Sequence, residues 1–129
     1  AWNLVAVALP PVNADGGWPA GLAAGQRVVD ELDGAPALII GSPEFKKTTA
    51  VDYPMTILGD PPVAPSSSAG ATRVVVLCDQ LFEEVVEAAC QGPAEEARLA
   101  EVGIVAGPLL DRFEAAPGRW ISIYEVAGR

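Results

Sequence analysis

Arg73-Val74-Val75-Val76-Leu77-Cys78, followed at once by Asp79 and by Leu81, Phe82, Val85, Val86 and Ala89 at helical spacing, decides the fold class of this chain. An apolar run this short and this rich in β-branched residues reads as a strand buried on both faces. Glu83, Glu84 and Glu87 give the segment after it a wet side, so that segment reads as an amphipathic helix. A buried strand leading into such a helix is the repeating unit of an α/β sheet.

Working outward, Ala37-Leu38-Ile39-Ile40 is a second buried run, closed by Gly41-Ser42-Pro43, and Leu4-Val5-Ala6-Val7-Ala8-Leu9 is a third, closed by Pro10-Pro11. Between them, Trp18-Pro19 opens a helix carrying Leu22, Gly25, Val29 and Leu32 on one side and Arg27, Asp30 and Glu31 on the other; Asp33-Gly34 stops it. Ser42 and Pro43 resemble an N-cap and first-turn proline for a short helix over residues 44–52, limited by Pro54. Residues 53–58 fit more than one state, and residues 59–70 read as an exposed loop. Downstream, Pro93 opens a helix over residues 94–102 with Glu95 and Glu96 in its first turn. Leu109, Leu110 and Phe113 suggest one more short helix ended by Pro117-Gly118, and residues 120–126 form the last strand. The alternation predicts a three-layer, mainly parallel, Rossmann-like sheet of about four to five strands with helices on both faces.

At 129 residues, half of them apolar, the chain has the size and core of one α/β domain spanning residues 1–129. Ala1 stands first and Met55 is the only methionine, so the piece reads as a fragment of a longer chain. No run approaches the ~18 to 20 apolar residues that span a bilayer, and the fragment itself reads as soluble. A net charge of −9 has the wrong sign for a phosphate backbone and argues against nucleic acid as a partner. Histidine is absent, which removes the usual general base, the commonest metal ligand and the familiar nucleophile triads. No catalytic residue, metal site or cofactor is expected, and the isolated domain is not expected to be an enzyme.

Ligands of α/β sheets bind outside the carboxyl ends of the strands, which singles out residues 13–18, 42–46 and 79–82. None carries a G-x-G-x-x-G or G-x-x-x-x-G-K-[ST] signature, so neither a dinucleotide nor a nucleoside triphosphate is indicated. Within these loops Asp15 suits a sugar hydroxyl or a simple turn, and Trp18 a stacked ligand or a helix-start anchor. Glu44 and Lys46 flank Phe45 with opposite charges, a pattern that suits a polar ligand or a solvated turn. Asp79 suits a strand-end functional carboxylate or an N-cap. Cys78 and Cys90 fit either a disulfide or two buried thiols; a straight helix between them would hold them roughly 15 Å apart, beyond the ~7 Å that a bridge tolerates.

Ser42-Pro43-Glu44-Phe45-Lys46, the run from Val74 to Phe82, Cys90-Gln91-Gly92-Pro93-Ala94-Glu95-Glu96, Arg112-Phe113 and Ala116-Pro117-Gly118 together carry a resemblance. Over roughly residues 36–126 the chain resembles the carboxyl-terminal soluble domain of actinobacterial membrane-embedded glycosyltransferase-like proteins of the dolichyl-phosphate-mannose and aminoarabinose transferase type. The resemblance implies a place on the extracytoplasmic face of the cell membrane, beside membrane helices of the same parent chain that carry the transferase chemistry. It implies a non-catalytic, accessory role in positioning a glycan acceptor or a partner, with a glycan or polyprenyl-linked sugar nearby. An oxidising compartment also favours pairing Cys78 with Cys90. The competing readings are a stand-alone cytoplasmic ligand-binding or receiver-like module using Asp79, and a small enzyme with an acid/base pair drawn from Asp15, Glu44, Lys46 or Asp79.

Overall fold

The computed structural model describes residues 17–86 and 90–129. In chain order these form α1 (Gly17–Leu32), β1 (Ala37–Ser42), α2 (Thr49–Ile57), β2 (Arg73–Asp79), the one-turn α3 (Glu83–Val86), α4 (Pro93–Glu101), β3 (Val105–Ala116) and β4 (Arg119–Gly128). The strand expected over residues 4–9 and the helical position of Ala89 lie outside the described residues.

The four strands make one sheet in the order β1-β2-β4-β3. β1 and β2 pair in parallel, with Ala37 opposite Arg73 and Ser42 opposite Cys78. β4 runs antiparallel to both β2 and β3. The sheet is therefore mixed, and the expected mainly parallel, Rossmann-like arrangement is wrong. The difference originates in β3, whose residues Leu109, Leu110 and Phe113 were expected to form a short helix. In that strand Phe113 and Ala115 turn to the α1 side while Arg112, the residue before Phe113, bonds to α4 on the other side, so the spacing there is two rather than 3.6. Only Pro117 and Gly118 separate β3 from β4, with Gly118 at φ 73°. A two-residue turn joins antiparallel neighbours; a parallel partner would need a crossover of about a dozen residues.

Helices do cover both faces. α1 and α2 pack on one through Val28, Leu32, Val51 and Met55 against Val75, Leu77, Ile121 and Ile123. α4 packs on the other through Leu99 against Leu38, Ile40, Val74 and Val76. The uninterrupted apolar run of β2 is explained by this sandwich, since its alternate residues enter different cores.

The helix after β1 begins at Thr49 rather than at residue 44 and continues through Pro54. The Ser42–Pro43 peptide is cis, and the chain turns there, Lys46 N donating to Pro43 O at 2.9 Å. Pro54 is buried against α1 at Gly25, where an added Cβ would lie 2.4 Å from the proline's own. This close helix contact offsets the backbone bond that a proline inside a helix gives up.

α4 is fixed by a polar cluster. Glu95, wholly buried, accepts from Ser122 Oγ at 2.9 Å, from Arg112 Nη2 at 2.9 Å and from the Tyr124 hydroxyl. Arg112 also donates to Ser122 Oγ at 2.9 Å and to the Tyr124 oxygen at 2.8 Å. Burial, then the hydrogen bond to Glu95 and its charge, pushes the Tyr124 hydroxyl up to about 12, so it stays a donor. Across the sheet, Arg27 of α1 grips Asp111 with two bonds of 2.8 Å and lies 4.1 Å over the Phe113 ring.

Candidate functional site

The parallel pair places the carboxyl ends of β1 and β2 side by side, and the segments leaving them build a cleft of about 450 Å³. Residues 42–45 form one wall. α4 forms the other with Pro93, Ala94, Ala97, Arg98 and Glu101, and Cys78 and Asp79 form the floor.

Residue 41 must be glycine for the first wall to fold back over β1. A Cβ there would lie 2.1 Å from the carbonyl oxygen of Lys46, so the turn through residues 42–46 can press on the strand only where no side chain stands between them. That close approach brings the Lys46 ammonium to Asp79 Oδ2 at 2.7 Å, with the two side chains 17% and 5% exposed. The other carboxylate oxygen, Oδ1, accepts from Leu81 N at 3.2 Å, which makes Asp79 the cap of the Gln80–Phe82 turn. Burial pushes the Asp79 carboxyl up, but the Lys46 hydrogen bond, the Leu81 N–H and the charges of Lys46 and Arg119 outweigh it and hold the group below the usual carboxylate range.

A carboxylate with a lowered folded-state pKa contributes stability that is complete above its unfolded value and is lost as pH falls through the folded one. Asp79 and Asp111, the latter held low first by the Arg27 hydrogen bond, therefore stabilise the protein at neutral pH and release it in acid. In Lys46→Met the burial of Asp79 acts unopposed by the lysine. The acid limb of the stability curve should then shift to higher pH, measured by urea unfolding across a pH series; an unmoved limb would show that Lys46 does not govern Asp79.

On the opposite wall, Arg98 donates Nε to Gly41 O at 2.8 Å and Nη1 to Glu101 at 2.8 Å. It therefore ties α4 to the end of β1. A disulfide adds a covalent tie: Cys78, in β2, is bonded to Cys90, just before α4, with Cα atoms 5.8 Å apart. The roughly 15 Å separation expected of a straight helix does not arise, since the two Cα atoms lie within the range that a bridge needs. Leu81, read as part of an apolar helix face, is 82% exposed. Serine at positions 78 and 90 should lower the unfolding free energy by about 2 to 3 kcal/mol, the loop-closure entropy of a ring this size. Thiol alkylation of the unfolded, unreduced chain should label neither cysteine, and reduction should expose both.

Of the residues singled out in the sequence, Glu44 and Asp79 line this cleft, and Lys46 reaches it through Asp79. Trp18 does not. It stands on α1, half-exposed, with its ring 5.7 Å from that of Tyr53 on α2. Asp15 lies outside the described residues. Arg98 and Glu95 were not foreseen as members of the site or its support. For Glu95 a signal existed, because it precedes Leu99 by four residues and so shares that residue's buried helix face.

Glu44 and Lys46 also border a second groove of about 570 Å³ along the outer edge of β1, together with Lys47 and Thr48. Among the described residues no group of three or more acidic, cysteine or histidine side chains is arranged to hold a metal ion. No described helix is long and apolar enough to cross a membrane. No known protein family, curated protein or solved structure matches the chain. The geometry of the cleft is therefore what bears on function: a tied, partly apolar trough whose buried carboxylate already holds two donors.

Proposed function

We propose that this chain is a non-catalytic accessory domain that holds a glycan acceptor or a partner in the cleft between residues 42–45 and α4. Its parent is a membrane glycosyltransferase-like protein, and the domain works on the extracytoplasmic face beside the parent's membrane-embedded part. The observation that carries this reading is the state of Asp79. Its two oxygens are occupied by Lys46 and by the Leu81 N–H, which suits a carboxylate that shapes a binding cleft and not one that attacks or takes up a proton.

The Cys78–Cys90 bridge supports an oxidising compartment. The resemblance over roughly residues 36–126 supplies the transferase context. A cleft bounded by a covalent bridge, an ion pair and a buried polar cluster is rigid, as a site that orients another molecule needs to be.

Glycosyl transfer by the full-length parent tests this directly. Phe45→Ala and Glu44→Gln should raise the KM for the acceptor and leave kcat near its original value, and the isolated domain should turn over no glycosyl donor. Transfer by the isolated domain, or a loss confined to kcat in the variants, would place chemistry in this domain and overturn the reading.

A further inference from the structure

Among the described residues, the charges that line the cleft cancel in pairs, with one left over. Asp79 is neutralised by Lys46 at 2.7 Å, and Glu101 by Arg98 at 2.8 Å. Glu44 is exposed at the mouth, and among the described residues it makes neither hydrogen bond nor ion pair. Lys47, which likewise has no carboxylate partner, lines the neighbouring groove and not this cleft. Among the described residues the uncompensated charge of the cleft is therefore a single negative one, in a chain whose net charge of −9 adds to it.

The rest of the lining is largely apolar. Pro43 and the exposed ring of Phe45 face Pro93, Ala94 and Ala97. Such walls offer few partners to a hydroxyl-rich ligand but suit a hydrocarbon stem, and an aromatic face beside a carboxylate attracts a cation. From this complementarity we infer that the cleft receives a lysine side chain of the acceptor or partner polypeptide, its methylene stem between the proline and alanine walls and its ammonium at Glu44 and Phe45. The inference deepens the binding role proposed above and rests on it.

A titration of the isotopically labelled domain, followed through the backbone amides of Glu44, Phe45, Ala94 and Ala97, tests the assignment. The probes are a short uncharged peptide bearing one lysine, the same peptide with norleucine in its place, glucosamine, and a neutral hexose. The lysine peptide should shift these four amides and bind about tenfold more tightly than the norleucine peptide, the combined effect of one exposed ion pair and one cation–π contact. Added salt should shrink that preference. Glu44→Gln, an exposed substitution, should cut it to about threefold, the share of the cation–π contact, and Phe45→Ala should weaken both peptides.

Equal binding of the lysine and norleucine peptides overturns the charge assignment and leaves the cleft a binding site for an apolar segment. Shifts produced by glucosamine or the hexose but by neither peptide overturn the lysine and leave a sugar site. Silence of all four amides with every probe overturns both the inference and the binding role beneath it.

Discussion

Glu95→Ala lowers the unfolding free energy by about 3 to 5 kcal/mol, measured as the shift in urea midpoint at neutral pH. The carboxylate is wholly buried and serves three donors at once. Its removal leaves the Arg112 guanidinium facing Tyr124 and Ser122 with no counter-charge, and an uncompensated charge in a partly buried site costs far more than the pair contributes. Taking away both charges together is the discriminating control. Glu95→Leu combined with Arg112→Leu should recover most of the loss, since no charge is orphaned. If the single and double variants fall equally, packing rather than charge holds α4 in place.

Gly41→Ala is expected to cost roughly 3 kcal/mol or more, through overpacking against backbone that cannot swing aside. The added methyl would sit 2.1 Å from Lys46 O and 3.0 Å from both the carbonyl carbon and the Cβ of that residue. The turn through residues 42–46 must lift off β1, which draws Lys46 away from Asp79. Two readouts should therefore move together: the unfolding midpoint falls, and the Asp79 carboxyl, followed by its side-chain carbon shift in an NMR titration, ionises at a higher pH than before. A stable variant with an unchanged Asp79 would mean that the turn does not depend on the missing side chain.

Much of this architecture is legible in the chain. α1, β1, β2 and β4 announce themselves by buried runs and clean stops, and the α4 start is marked by Pro93. The crossover from β1 to β2 follows from the helix between them, even though that helix lies several residues later than Ser42 and Pro43 suggest. What misleads is β3. Its register shifts at Ala106, Leu109 and Asp111 break the alternation that marks a strand, and Leu109, Leu110 and Phe113 then imitate a helical face. A single misread element is enough to set β4 antiparallel to both of its neighbours.

The cleft was foreseen in part for the same reason. Glu44, Lys46 and Asp79 belong to strand ends, which sequence locates well, and their convergence follows from the parallel pairing. Arg98 enters from a helix on the opposite face, 57 residues after the Gly41 carbonyl that it contacts, and no local pattern encodes such a meeting. The Cys78–Cys90 bridge depended on the path of the chain between the two cysteines, which the local sequence pattern left open.

The strand order has a consequence for the nascent chain. β2 is made before β4, yet β4 is the neighbour that closes its second edge. Until the last strand leaves the ribosome, Val74, Val75, Val76 and Leu77 lie on an open strand edge of low charge and high β-propensity, the composition that recruits other chains. The β3–β4 hairpin, with its two-residue turn, forms within microseconds once it is made, whereas its docking on β2 must wait for synthesis at about 5 to 20 residues per second. Translation speed through the last strands therefore sets how long that sticky edge stays uncovered.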